Sequence, residues 1–348
     1  MAMFRIREAT AQDNEALLRL EAQSPQGTGI SIVIDRDDYF YRSRLHDRTK
    51  VLVAEEDDQI VGIMAYAIKD VLLRGVPDKA AYFYDLRGEA TYRRSMKRGL
   101  FRLWKHALAE MEESGAAYIY GHVKADNHDS MNISTKMGAR IAASSNILVL
   151  PSLPGRCPPL DTHLEDLEDE IERIESFVGV RPLRPISFGD AYRRGAELGY
   201  LKGIYRIERG RSFAQVSGWD LSKIYKGRVL HMPMYFRILG RVLNPLSHFI
   251  PVPRIPVVGR HLTYMQLFDP ICQGPEGEHL LKRLFQQLRR VARTDDVDLL
   301  TLFAYTEDPL YTLPSFFPQE VLHYNTMVRP LRVEELPEPP LYLDIRDV

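Results

Sequence analysis

The chain has 348 residues, 45% hydrophobic and 27% charged, with 46 lysines and arginines against 47 aspartates and glutamates. That is ordinary globular chemistry at a length beyond what one core usually serves, and a net charge near zero argues against a whole-molecule nucleic-acid binder. Two cysteines far apart, Cys157 and Cys272, imply neither a disulfide framework nor a thiolate metal site. No apolar run is long enough to span a bilayer and Met1 to Thr10 lacks a signal-peptide pattern, so the expected compartment is the cytoplasm.

In chain order, Val51 to Glu55, a polar Asp57-Asp58-Gln59 turn and Ile60 to Ala65 read as an antiparallel hairpin. The apolar run Tyr82-Phe83-Tyr84 is a strand that leads into Tyr92-Arg93-Arg94-Ser95-Met96-Lys97-Arg98-Gly99. A chain passing from strand to helix presents N–H groups without intrahelical partners, and the helix dipole adds positive potential there. Arg93, Arg94, Lys97 and Arg98 crowd that turn. From Gly99 to Glu113, Leu100, Leu103, Trp104, Ala107, Leu108 and Met111 recur at three and four, so one helix face is buried. Ser114-Gly115 stops the helix, and Ala116 to Val123 is the next strand. Ala125-Asp126-Asn127-His128-Asp129-Ser130 then precedes Lys136-Met137-Gly138. Strand, phosphate loop, helix, strand and helix in that order can hold a coenzyme with a pyrophosphate; taken alone, the loop also reads as a basic helix start on an α/β surface.

Leu150 to Pro159 is proline-rich and aperiodic, as a linker should be. After it, Asp161 to Phe177 is an acidic helix with Leu164, Leu167, Ile171 and Ile174 on one stripe. The remainder echoes the first half. Gly203 to Glu208 and Phe213 to Trp219 pair as a hairpin, and His261 to Phe268 is a strand. Gly274-Pro275-Glu276-Gly277 opens a helix to about Arg293, Leu299 to Ala304 is a strand, Glu307 to Leu310 starts a short helix, and Val321 to Val328 closes the sheet. Glu276 and Glu278 stand where a phosphate wants cations, so this copy is the poorer coenzyme site. Leu221 to Phe268 contains no acidic residue and seven lysines and arginines among many apolar residues. Such an insertion either covers the second sheet with its cations toward the acidic helix, or lies on an anionic membrane or grips an acidic or acylated substrate. The first reading is the expectation, because the complementary helix exists.

Tyr92 to Leu100 resembles the acetyl-CoA loop of the GCN5-related N-acetyltransferases, Q/R-x-x-G-x-G/A, with Arg94 at the first position, Lys97 at the first glycine and Gly99 at the second. Asn127 to Ser130 with Lys136-Met137-Gly138 resembles that family's asparagine-led fourth helix and K-x-G turn. Phe4 to Ala9 and Asp13 to Ala22 look like its first strand and helix. The resemblance implies an α/β fold of the α+β kind. Two tandem acetyltransferase-like units follow, each a central mixed, mostly antiparallel sheet with flanking helices: 1–150 binding acetyl-CoA, a linker at 151–160, and a degenerate 161–348 carrying the insertion 221–260. The tandem is similar to the plant Hookless-type proteins at Ser145 to Val149, Phe213 to Trp219, Gly274 to Gly277, Glu307 to Leu310 and Tyr342 to Asp347.

The implied activity is acyl transfer from acetyl-CoA to an amine by direct attack in a ternary complex, the acceptor being a small molecule, a protein N-terminus or a lysine. By resemblance, backbone N–H groups at Leu86, Arg87 and Gly88 meet the pantetheine and the reacting carbonyl, and Arg93 to Gly99 hold the phosphates. Asn127 and Ser130 serve the pantetheine arm; Asn127 also reads as a helix N-cap. Ser134 occupies the position where many relatives place a proton-donating tyrosine. A reaction of this type needs a free amine, donors for the oxyanion and a proton source for the thiolate. Tyr84, Tyr118 and Tyr120 lie on the central strands as phenol sources, and Asp85, Glu89 and His122 are candidate bases; each has an ordinary structural reading too. Asp126, Asn127 and Asp129 lack the glycine and distal glutamate of a calcium loop, and no metal constellation emerges. A silent coenzyme sensor, motivated by Lys97 and Ser134, is the second reading. A nucleic-acid or membrane-binding module is the third.

Overall fold

The computed structural model describes residues 4–23, 30–89, 93–155, 160–247, 252, 254–306 and 320–347, the side chains of 93–98 and 320 excepted. The first half forms β1 (Phe4–Glu8), α1 (Asn14–Ala22), β2 (Ser31–Asp35), β3 (Thr49–Glu56), β4 (Gln59–Leu73), β5 (Val76–Gly88), α2 (Arg93–Glu113), β6 (Tyr118–Lys124), α3 (His128–Lys136) and β7 (Arg140–Pro151). The second half forms α4 (Leu167–Val178), α5 (Phe188–Glu197), β8 (Leu201–Arg209), β9 (Ser212–Trp219), β10 (Lys226–His231), α6 (Met234–Leu246), β11 (His261–Leu262), β12 (Tyr264–Gln273), α7 (Gly277–Thr294), β13 (Leu299–Tyr305) and β14 (Glu320–Pro330). The expected short helix from Glu307 lies outside the described residues.

The halves share one mostly antiparallel sheet of eleven strands, in the order β1-β3-β4-β5-β6-β14-β7-β13-β12-β9-β8. Its parallel pairs are β5 with β6 and β12 with β13. Each half lends a strand to the other: β14 pairs with β6, and β7 pairs with β13. The segment 321–328 was expected to close the sheet. It lies near its middle instead, because the exchange puts β14 between β6 and β7, where both of its ladders are satisfied.

Helices cover the sheet where the sequence periodicity demands it. The α2 stripe, Leu103, Trp104, Ala107 and Met111, packs on Leu52, Met64, Ala81 and Ile119. Leu280, Leu281, Leu284, Phe285 and Leu288 of α7 pack on Met265, Leu267, Leu300 and Leu302. On the other face a larger cluster joins α1, α4 and α5 to the C-terminal residues Leu341, Tyr342, Leu343 and Ile345.

A second, three-stranded sheet, β11-β10-β2, ties the halves together. Its fastener is Asp35, which accepts from Arg228 Nε at 2.6 Å and lies 2.9 Å from His261 Nε2. The expectation that the cations of the insertion face the acidic helix does not hold. Glu168 pairs with Arg193 at 2.6 Å, Glu170 with Arg206 and Glu175 with Arg184, all outside the insertion. Arg228 and Arg254 pair with Asp35 and Asp296 instead. Among the described residues no helix is long and apolar enough to cross a membrane.

Candidate active site

The strands β5 and β6 pair in parallel from Ala80↔Tyr118 to Tyr82↔Tyr120 and then part. Two local features open this fork. Asp85 takes φ +55 and the β4 register slips between Ile63 and Ala65, so a bulge bends β5 at that point. At Gly121 a Cβ would stand 2.8 Å from the Phe83 carbonyl oxygen, so only glycine lets the strands sit this close as they diverge. Beyond Tyr82 the β5 backbone has no ladder partner on the β6 side among the described residues.

Strand alternation gives the fork two different walls. Ala81, Phe83 and Ile119 face α2, and a narrow cleft of about 20 Å³ lies there between Phe83, Trp104, Gly121, Ser134 and Met137. Tyr82, Tyr84 and Tyr120 face the opposite side, into a buried polar chamber. The Tyr82 ring stacks on Tyr84 at 5.3 Å and lies 5.3 Å from Tyr120 and 5.9 Å from His122. His46 stacks over Tyr82 and Tyr84. The Arg42 guanidinium sits 4.5 Å over the Tyr84 ring and donates to Tyr82 Oη at 2.7 Å.

The C-terminal strap, 341–347, enters this chamber as a charged plug. Lys69 Nζ donates to both Asp347 carboxylate oxygens at 2.8 Å and pairs with Asp344 at 2.6 Å. Tyr120 Oη donates to Asp347 Oδ2 at 2.6 Å, while Tyr82 Oη and Arg42 donate to its carbonyl oxygen. The buried carboxylates diverge in character. Burial would raise both, but Arg346 and Lys69 hold Asp344 far below the usual range, whereas burial keeps Asp347 above it despite Lys69.

The candidates from the sequence come together at the fork in different states. Asp85 is enclosed by Arg87, Arg36 and the Tyr39 hydroxyl at 3.4, 3.6 and 3.1 Å. Against the upward push of burial, Arg87, Arg36 and Arg42 hold its carboxyl at about 2, which makes a very weak base. The Tyr84 hydroxyl lies within hydrogen-bonding reach of Thr49 and Ser43, at 3.0 and 3.3 Å, and burial raises its pKa. Glu89 follows β5, with its N–H donated to Val61 O at 2.9 Å. His122 Nδ1 lies 3.1 Å from Thr326 Oγ1, and its Nε2 is buried with no partner among the described residues. Burial, reinforced by Lys69 and Arg42, lowers its pKa to about 3, so the ring is neutral.

The basic run is helical rather than a loop. α2 begins at Arg93, so Arg93, Arg94, Ser95, Met96, Lys97 and Arg98 form its opening turns, their side chains being outside the described residues. Gly99 packs inward, where a Cβ would stand 3.0 Å from the Phe4 ring. Leu86 and Gly88 lie on β5 past the bulge, and the Arg87 guanidinium is committed to Glu21 and Asp85. Asn127 caps α3 by accepting from the Ser130 N–H at 3.1 Å, and Ser134 lines the cleft on the helix side. Among the described residues no cluster of histidine, cysteine and carboxylate side chains could hold a metal. Sequence reasoning overlooked Lys69, Arg42, His46 and the role of Asp347. The signal available for Asp347 was the Tyr342-to-Asp347 motif, whose place in the chamber depends on contacts across most of the chain.

Residues 5–138 match the family described as acetyltransferase (GNAT) domain. A probable N-acetyltransferase, HLS1-like, from Arabidopsis thaliana is 23% identical over 266 residues, 69% of this chain; the chain spans 64% of that relative's length. Saccharomyces cerevisiae N-myristoyltransferase, solved with bound myristoyl-CoA and inhibitors, superposes with TM-score 0.62 at 11% identity over 99% of this chain and 84% of its own. A putative acetyltransferase from Pyrococcus horikoshii does so with TM-score 0.54 at 10% identity, over 97% and 91%. At these identities the structural likeness speaks for the fold.

Proposed function

We propose, from the premise that the chain is a member of the GCN5-related N-acetyltransferase superfamily, that it transfers an acetyl group from acetyl-CoA to an amine at the β5/β6 fork. The observation that carries this reading is the fork itself: a parted parallel pair with a helix-lined cleft on one wall and a buried polar chamber on the other. The first 150 residues act as the coenzyme-binding unit, 151–160 as a linker and 161–348 as its degenerate counterpart, in the cytoplasm.

The residues present fit the coenzyme. The amides opening α2, with Arg93, Arg94, Lys97 and Arg98, hold the pyrophosphate. The β5 backbone from Leu86 to Gly88, paired with β4 on one side and open on the β6 side, offers donors to pantetheine and oxyanion, and Asn127, Ser130 and Ser134 flank the arm. When bound, acetyl-CoA would supply an activated thioester: as the new C–N bond replaces the C–S bond, the departing thiolate would take the second of the two protons that the acceptor nitrogen sheds. The acceptor, a small-molecule amine or a protein N-terminus or lysine, enters from the chamber side.

For the proton we assign Tyr120 and Asp347 rather than Asp85. The Tyr120 hydroxyl receives the first proton, the one the acceptor's ammonium form must shed before it attacks, as it passes its own to Asp347 Oδ2, 2.6 Å away. A carboxyl raised above its ordinary value is the better match for that task than one held at about 2. His122, neutral and with no partner for Nε2 among the described residues, accepts a hydrogen bond from the incoming amine.

The test is calorimetry with acetyl-CoA, followed by thiol release over a panel of amines, on wild type, Tyr120→Phe and Asp347→Asn. Both variants should bind coenzyme like wild type and lose roughly 10²–10⁴-fold in kcat. Full turnover in Asp347→Asn sinks the relay. No coenzyme binding by wild type sinks the whole reading, and binding without turnover on any amine turns it into a sensor.

A further inference from the structure

Apart from Phe236, which packs toward the small sheet, most apolar residues of α6 are exposed. Met234, Tyr235, Ile238, Leu239, Val242 and Leu246 recur at three and four along one face and are 41–74% exposed. Nine of the seventeen exposed large apolar side chains among the described residues fall between 230 and 258, so the patch is concentrated rather than scattered. Only Gly240 of this helix is buried, where a Cβ would stand 3.2 Å from Ile255. Asn244 pins that neighbouring segment by donating to Ile255 O at 3.0 Å and accepting from its N–H at 2.7 Å. Val257 and Val258, 50% and 43% exposed, follow on the pinned segment.

Charge says what covers this face. Arg237 and Arg241, one turn apart on the same helix, are exposed and have no carboxylate partner among the described residues. The stretch Leu221 to Phe268 has no acidic residue at all, and its exposed Lys226 and Arg260 add to the positive field. A 13-residue helix is too short to span a bilayer, yet an apolar stripe flanked by arginines suits one lying in the headgroup plane. The mount is firm: Phe236 and Ile255 pack on Val229, Met232 and Leu262 of the region around the small sheet that Asp35 fastens.

We infer that α6 and the adjoining 254–260 segment form a docking surface for an anionic lipid bilayer, with the apolar face inserted at headgroup depth and Arg237 and Arg241 on the lipid phosphates. The surface lies on the small sheet bridging the two halves, and its action is independent of the acetyl-transfer reading.

Vesicle flotation of the full chain tests it, with phosphatidylcholine alone and with phosphatidylcholine mixed with phosphatidylglycerol. Wild type should float with the mixed vesicles at least about tenfold more than with the neutral ones, and less as salt rises. Ile238→Glu/Val242→Glu and Arg237→Glu/Arg241→Glu should each lose most of that binding with unchanged thermal midpoints, since all four side chains are exposed. Absence of wild-type binding to the anionic vesicles overturns the inference, as does equal binding by both variants. A lipid-free dimer that Ile238→Glu/Val242→Glu dissolves, with no vesicle binding, would assign the face to a second copy of the chain.

Discussion

The two parallel strand pairs of the sheet, β5/β6 and β12/β13, are counterparts that have diverged. Each carries an aspartate at a bulge with positive φ, Asp85 at +55 and Asp269 at +49, where the neighbouring ladder slips register. Aligned on those aspartates, the first fork parts after Tyr82↔Tyr120, whereas the second stays paired one position further, to Leu267↔Leu302. Leu302 stands where the first fork has Gly121, and Pro270, which has no N–H, stands where it has Leu86. Phe268 and Phe303 take the places of Tyr84 and His122. The start of α7 is occupied as well: the Glu276 N–H donates to Ser212 Oγ at 3.1 Å, and its carboxylate pairs with Arg209. On the proposed reading, a fork serves as a site when it has a glycine to part it, backbone donors past the bulge and a helix start that favours anions.

The aspartates themselves make the comparison testable. The Asp85 carboxylate balances Arg36 and Arg87 in a buried cluster with Glu21. Asp85→Asn should lose about 3–5 kcal/mol at neutral pH, read from denaturant midpoints, because it leaves buried guanidinium charge uncompensated. Asp269 is instead raised to about 6 by burial, in spite of hydrogen bonds from Tyr192 at 2.5 Å and Tyr342 at 3.2 Å. The folded state then holds a proton that the unfolded state releases between about 4 and 6, so stability falls as pH rises through that window. Relative to Asp269→Asn, wild type should lose up to about 3 kcal/mol between pH 4 and pH 7. Asp85, held at about 2, has the opposite sign: its contribution is present above the ordinary carboxylate value and fades as pH falls through about 2. If the two variants show the same pH trend, the electrostatic contrast between the forks is wrong.

Coenzyme binding gives smaller, sharper differences. Gly121→Ala should weaken acetyl-CoA binding by at least about tenfold by crowding the Phe83 carbonyl, while Leu302→Ala in the second fork should leave affinity unchanged. Calorimetry should return one site per chain, and a second site would show the β12/β13 fork to be competent. Arg94→Ala should weaken binding by about tenfold or less, since neighbouring cations share the load. His122 gives a pH effect of the same kind as Asp269 and the opposite sign. Because burial lowers its pKa to about 3, stability falls as pH drops from about 6.5 toward 3, and His122→Gln should remove a slope worth up to several kcal/mol, on the order of the Asp269 effect or larger.

Much of the first fork was legible before folding. The α2 stripe, the apolar strands around it, the Asn127 cap and the turn at Gly138, with φ +84, are all local patterns, and each appears where its spacing puts it. The α6 region was legible as an apolar and basic segment but not as an uncovered one. Apolar recurrence at three and four is the same for a stripe that faces a sheet and one that faces outward. The chamber was hidden for a related reason: Lys69, Arg42 and His46 carry no motif until Asp347 and the carbonyl of Arg346 arrive beside them.

The sequence by itself determined the order of elements, the basic opening of α2, the glycine that parts the first fork and the glutamates and proline that set the second apart. Those are consequences of backbone freedom, charge and periodicity, which act within a few residues. Tertiary structure alone decided that the halves exchange β7 and β14 into one sheet, that the C-terminal strap supplies the buried carboxylate and that α6 is left bare. These are long-range pairings, in which the partner that satisfies a strand edge or a buried charge lies more than a hundred residues away.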